Sequence, residues 1–337
     1  MKIETQRPFT DDFRIARRLA HEGFYAFCDP RDVDYAQMCI PPVYDTISSG
    51  TCFDGTYASE QFHRACNQMG QFSAEFADRL ESMCMAPLSP LMWVEHPIKR
   101  PSEIFEGEPK TIRQGTAIVS VDLAGMSSDE RRIYTILGED EARWKMSFTF
   151  VMEAPGSPII TPSVSATAMV TPQGKMAKSG WHLHSSPSRQ KENRDILIDY
   201  GGIVRLLGPI IELHALLHCN NIGVRHHEIK GRDEKKFRTR FGPPANTGYR
   251  FTTLTFKAPR TRGQPAGEER DLLPGQRAEH GVLGHFANYG AEFGRGLLFG
   301  KYSGRFYVPP HQRGNPAYGI IDKTYKPIGG DEAKGAA

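Results

Sequence analysis

The segment LLFGKYSGRFYVPPHQRGNPAYGIIDKTYKPI (297–328) and the AEHGVLGHF before it (278–286) gather histidine, arginine and lysine between aromatics and glycines. Those side chains suit chemistry on phosphate. Cleaving a phosphodiester without a metal takes a base, an acid and a cation. Histidine, with an ordinary pKa of about 6.5, serves as acid or base at neutral pH. Lysine and arginine stabilise charge on the phosphorane, arginine with two parallel donors. In RNA the 2′-OH is the nucleophile, so no activated water is required. The candidate catalytic set is His285 and His311 as acid and base, Arg313 as phosphate clamp and Lys323 as second cation. The candidate nucleic-acid-binding set is Lys301, Tyr302, Arg305, Tyr307 and Tyr325. Tyr302, Phe306 and Tyr307 are placed to stack bases, a contact worth ~1–3 kcal/mol each. A plainer description also fits: glycines 284, 300, 304, 314 and 319 make hairpin turns, and cations alternate with aromatics on a solvated sheet face. A third arrangement, a metal held by His280, His285 and His311, would compete with the cleavage reading. No cofactor is expected.

Charge supports a polyanion partner. Residues 225–326 hold 19 Lys and Arg against 9 Asp and Glu, a net of +10; with +3 overall, the rest of the chain carries −7. Such a basic third suits nucleic acid, RNA rather than DNA, or an acidic protein surface, which includes the acidic part of this chain. No run of eighteen apolar residues is present, so no membrane span is expected. The start MKIETQRPFTDDF lacks the apolar core of a secretory signal, so the six cysteines are read as reduced thiols, buried as small apolar residues. His214 and His218 share a helix face but lack a zincin's intervening glutamate, and His182 and His184 are two ligands at most. Both pairs are read as core or surface histidines. No nucleotide-binding glycine loop and no GxSxG elbow occurs.

These residues must be positioned by a scaffold. TDDFRIARRLAHEGFYAF (10–27) predicts a helix capped by Thr10, with Asp11 and Asp12 in its first turn. Residues 30–58 carry few periodic signals and read as loop or short strands. Phe62, Ala65, Met69, Phe72, Phe76, Leu80 and Met83 recur at three and four, predicting one helix over 59–84 whose stripe is a core face or a homodimer seam. LMWVEHP (91–97), GTAIVSVDL (115–123), RRIYTIL (131–137) and SPIITPSVSATAMVT (157–171) have strand character. In ARWKMSFTFVME (142–153) the alternation of Trp144, Met146, Phe148, Phe150 and Met152 with polar residues is a half-buried strand. Residues 173–193 read as an exposed loop. Residues 194–219 read as an apolar helix bent or split by Gly201-Gly202 and Pro209, YRFTTLTFKAP (249–259) as a strand, 260–281 as loop, and the remainder as short strands with tight turns.

The C-terminal pattern resembles a family of uncharacterised proteins of tailed phages and mobile elements. The matching residues are Gly284-His285-Phe286, Tyr289, Leu298-Phe299-Gly300, Gly304, Phe306-Tyr307, Pro309, His311, Arg313-Gly314, Gly319, Lys323 and Tyr325. PLSPLMWVEHP (87–97) and LLHCNNIGV (216–224) are similar as well, so the resemblance spans roughly 87–328 in patches. Leu283 and Asn220 stand where the family carries Arg and Lys. The resemblance implies a phage-derived accessory protein working in the host cytoplasm. The expected fold is α+β: two main helices on a largely antiparallel sheet, with short C-terminal hairpins. It forms a single domain over 1–328, or a helical part (1–90) packed on a β-rich part (91–328), with 329–337 as a disordered tail. The expected function is nucleic-acid binding through the basic C-terminal third, extending to metal-independent RNA cleavage. The alternative is a non-catalytic virion or host-takeover protein acting through protein contacts.

Overall fold

The structure is a computed structural model. It describes residues 13–23, 31, 33–70, 79–80, 83–99, 111–134, 142–153, 159–160, 164–185, 200–244, 248–256, 278–282, 284–290, 303–308, 311–313 and 315–321. The fold is α+β, as expected. Six helices are present among these residues: α1 (Arg14–Glu22), α2 (Val33–Ser49), α3 (Thr56–Met69), α4 (Ser128–Tyr134), α5 (Tyr200–Leu217) and α6 (Gly231–Phe241). The strands are β1 (Thr51–Asp54), β2 (Leu91–Lys99), β3 (Thr111–Asp122), β4 (Trp144–Glu153), β5 (Ile159–Ile160), β6 (Val164–Val170), β7 (Met176–Ser185), β8 (Ile222–Glu228) and β9 (Arg250–Phe256). After them come β10 (Ala278–Val282), β11 (His285–Tyr289), β12 (Gly304–Val308), β13 (His311–Arg313) and β14 (Asn315–Ile321).

The large sheet runs β7-β6-β4-β3-β2-β1-β9-β8, with β5 beside β4. Within that sheet β1 alone pairs in parallel, with β2 and β9, and in a smaller sheet β10 pairs β14 in parallel. Helices cover both faces. Met92, Val94, Ile118, Met146, Phe148 and Phe150 pack under α5 and the start of α3. Trp93, Ala117, Val151 and Phe251 pack under α1, α2 and α6. β2 is therefore buried from Met92 to His96 without alternation, polar residues included. Glu95 lies inside because it caps α1 from a distance. Its carboxylate accepts the Ile15 and Ala16 N–H groups (3.0 and 2.6 Å) and the Trp93 indole N–H (3.0 Å), with Arg113 Nε at 3.8 Å. The Ile15 and Ala16 donors are among the orphan amides of a helix start. Thr10, the expected cap, lies outside the described residues, as do Asp11 and Asp12.

Several elements differ from expectation. Residues 33–49 form a helix despite Pro41 and Pro42. Cys39, Val43, Thr46 and Ile47 recur at helical spacing and are buried, and that burial outweighs the missing donors. The long helix over 59–84 instead ends at Met69, where Gly70 takes φ 78° and closes the last turn on Cys66 O. The stretch 131–134 belongs to helix α4, because Ser127 and Glu130 form a capping box: Ser127 N–H donates to Glu130 Oε2 (2.8 Å) and Glu130 N–H to Ser127 Oγ (3.3 Å). Residues 176–185 of the expected loop are strand β7, an edge strand, which tolerates polar side chains. Residues 278–281, expected as loop, belong to strand β10. Helix α5 runs unbroken from Tyr200 through Pro209, and Gly208 admits the Phe62 ring where a Cβ would lie 2.0 Å from it. No helix among the described residues is long and apolar enough to cross a membrane.

Candidate functional site

The C-terminal strands form two small sheets, β13-β10-β14 and β11-β12. β11 pairs β12 with His285 opposite Val308, and β10 pairs β13 with Val282 opposite His311. In the sequence Pro309-Pro310 separates β12 from β13, and prolines bring no N–H to a ladder. His285 and His311 therefore lie on strands of two different small sheets. Arg313 stands opposite His280. His285 is exposed. Lys301, Tyr302, Lys323 and Tyr325 lie outside the described residues.

Two expected contacts with nucleic acid are corrected by burial. Tyr307 is 1% exposed, its ring among Phe286, Phe256 and Tyr57 and its hydroxyl donating to Gln61 Oε1 (3.3 Å), so it cannot stack a base. Phe306 is buried too. Arg305 also turns inward, lying 4.9 Å over the Phe286 ring and hydrogen-bonded to Cys219.

The end of α5 pulls β12 inward. Asn221 acts as a clip: Tyr307 N–H donates to its Oδ1 (2.9 Å) and its Nδ2 donates to Tyr307 O (2.7 Å). Next to it Asn220 N–H donates to Arg305 O (2.8 Å) and Asn220 Nδ2 to Ser303 O (3.1 Å). Gly304, at φ 107°, is required there, since a Cβ would sit 2.4 Å from Asn220 Nδ2. A buried ion pair anchors the neighbouring strand. Arg79 donates to Glu212 Oε1 and to Gly284 O, both at 2.7 Å. Burial pushes the Glu212 carboxyl upward, and Arg79 opposes that shift.

This packing assembles a cluster that the sequence did not reveal. His218, in the turn after α5, and Cys84, just before β2, are joined by a hydrogen bond. His218 Nε2 also donates to Ala86 O (2.8 Å), while the Ala86 N–H supports Cys84. Burial alone would raise the Cys84 thiol. The bonds from His218 and Ala86, with the charges of His218 and Arg305, outweigh it and bring the thiol below its ordinary value. The hydrogen bond from Cys84 raises His218, against its own burial. Neighbouring Cys219 moves the other way: burial pushes it up to about 12. His214, one helical turn back, is a core imidazole held on Ile210 O (2.9 Å), lowered by burial to about 4. The HxxxH pair therefore divides into a core residue and a site residue. The described cysteines are all free thiols, Cys39, Cys52 and Cys219 buried and Cys66 and Cys84 half-buried. No local signal could have joined Cys84 to His218, because distant chain segments form the site.

A second feature is a basic face at the other end of the sheet. β8 is the edge strand, with Arg225 and His226 exposed. His226, Glu228, Lys230 and Arg250 line a shallow depression of about 460 Å³. α6 buries Phe237 and Phe241 and exposes Arg232, Lys235, Lys236, Arg238 and Arg240. The three carboxylates of this segment are engaged: Glu228 with Lys230 (2.8 Å), Glu234 with Arg238 (3.0 Å), and Asp233 with Arg17 (3.2 Å) and His21 (2.9 Å). Among the described residues no three His, Cys, Asp or Glu side chains converge as a metal-binding group. No family model matches the chain, and neither does any curated protein or solved structure.

Proposed function

We propose that the protein binds nucleic acid by its phosphate backbone, through the basic face of β8, α6 and the start of β9, as an accessory protein of phage origin acting in the host cytoplasm. The observation that carries this is the exposure of Arg225, Arg232, Lys235 and Lys236 on an edge strand and the helix after it, where every carboxylate of the segment already has a partner. The inward turn of Tyr307 and Phe306 removes two stacking platforms, so recognition rests on charge more than on bases. The resemblance in the C-terminal ribbon supports the phage setting.

The test is binding of labelled single-stranded RNA, single-stranded DNA and duplex DNA at 50 and 200 mM salt, with EDTA present. Four neutralised phosphates give a salt slope near ~3 for single strands, so affinity falls about fifty-fold over that interval. An Arg232→Glu/Lys235→Glu/Lys236→Glu variant should weaken every substrate by at least about tenfold and flatten the slope, and each single reversal among the three should weaken it more than Lys175→Glu, one charge reversal on the β6–β7 turn. Absent or salt-indifferent binding would sink the reading. The same assay reads cleavage: RNA scission that persists in EDTA and vanishes in His285→Ala/His311→Ala would give those histidines the acid–base roles.

A further inference from the structure

We propose that Cys84 is a nucleophilic thiolate that reacts with a hydroperoxide to give a sulfenic acid, with His218 as its proton carrier and Arg305 as the cation beside it. The geometry stands independently of the basic face. Ala86 O holds a proton on His218 Nε2, so a proton leaving the thiol makes the ring an imidazolium. The Ala86 N–H adds a donor to the sulfur, and the Arg305 guanidinium, fixed over Phe286, adds a second positive charge. Cys84 is half-buried, with its sulfur against Gly174: a Cβ at Gly174 would lie 2.4 Å from Sγ and 3.3 Å from Ala86 N. Gly174 and Ala86 thus wall one side of the thiol, and a hydroperoxide is a small electrophile that a cysteine thiolate attacks.

The step balances within these groups. The thiolate attacks the distal oxygen of ROOH, the S–O bond forms and the O–O bond breaks. Sulfur is oxidised by two electrons and the peroxide is reduced. The leaving alkoxide or hydroxide takes the proton from the His218 imidazolium, giving alcohol or water. The sulfenic hydrogen comes from the peroxide, and a thiol reductant restores the cysteine.

The test uses the full chain, reduced and freed of reductant, with hydrogen peroxide as probe, dimedone as sulfenic-acid trap and peptide mass mapping. Cys66, the other half-buried thiol among the described residues, is the internal reference. Cys84 should be labelled at least about tenfold faster than Cys66 at pH 7. Its iodoacetamide alkylation should titrate below the ordinary ~8.5 of a free thiol. His218→Gln should return that midpoint to the ordinary range and slow peroxide labelling about tenfold, and Cys84→Ser should abolish the label. Equal labelling of Cys84 and Cys66 in the unmodified protein, or an alkylation midpoint at or above the ordinary value, would overturn the proposal without needing any variant to fold.

Discussion

Replacing Asn221 by alanine removes the clip that seats the C-terminal ribbon on the body of the protein. The side chain makes two hydrogen bonds to one buried peptide segment, at 2.9 and 2.7 Å. Deleting it leaves both the N–H and the C=O of Tyr307 without their partner, beside a ring that is 1% exposed. An orphaned buried group costs about 1–3 kcal/mol, so losing partners for both should cost the variant about 2–6 kcal/mol. That is a large part of the roughly 5–15 kcal/mol that holds a domain together. Asn221→Asp separates the two bonds. Its carboxylate still accepts the Tyr307 N–H but sets a second negative oxygen against Tyr307 O. Its deficit at pH 7 should therefore shrink as pH falls and the carboxyl gains a proton to donate; its folded pKa is raised, so the relief appears on acidification. Urea unfolding gives the stability, and hydrogen exchange over 303–308 shows where it is lost. An alanine variant within about 0.5 kcal/mol of the parent, with exchange over 303–308 unchanged, would refute the role given to Asn221.

Two more perturbations probe the core. Gly208→Ala places a Cβ 2.0–2.5 Å from three atoms of the Phe62 ring and should cost about 1–3 kcal/mol, with part of the loss recovered by Phe62→Leu; equal unfolding midpoints for parent and Gly208→Ala would show that α3 and α5 do not meet as closely as this. His96 is fully buried and lowered by that burial to about 3, and His214 to about 4, so both are neutral in the fold. Depressed histidine pKa values mean that the unfolded chain takes up protons first as pH falls below ~6.5, so each residue withdraws about 2 kcal/mol of stability between pH 7 and 5. Denaturant unfolding at the two pH values should show His96→Gln losing about 2 kcal/mol less than the parent over that interval, and parallel losses would contradict a neutral buried His96.

How much of this was readable from the sequence depends on where each element finds its partners. β4 was legible because Met146, Phe148 and Phe150 all face one core. β2 was legible from composition, although burial on both faces erased its alternation. α2 was not, because Pro41 and Pro42 mask a stripe that only the sheet and α6 make worthwhile to bury. α4 carried a usable signal in Ser127 and Glu130, outweighed by the strand-like character of RRIYTIL. The site divides in the same manner. Excess positive charge is additive along a chain, so the basic third was visible in the composition, and β8 and α6 expose part of it. The direction in which an alternating strand faces is not local information. In GRFYV the alternation puts Arg305 and Tyr307 on one face, and the sequence is equally consistent with that face lying in solvent. Asn220 and Asn221 decide it by bonding the outer edge of β12, and the consequence is chemical: the arginine expected to meet phosphate is delivered to Cys84 and His218 instead.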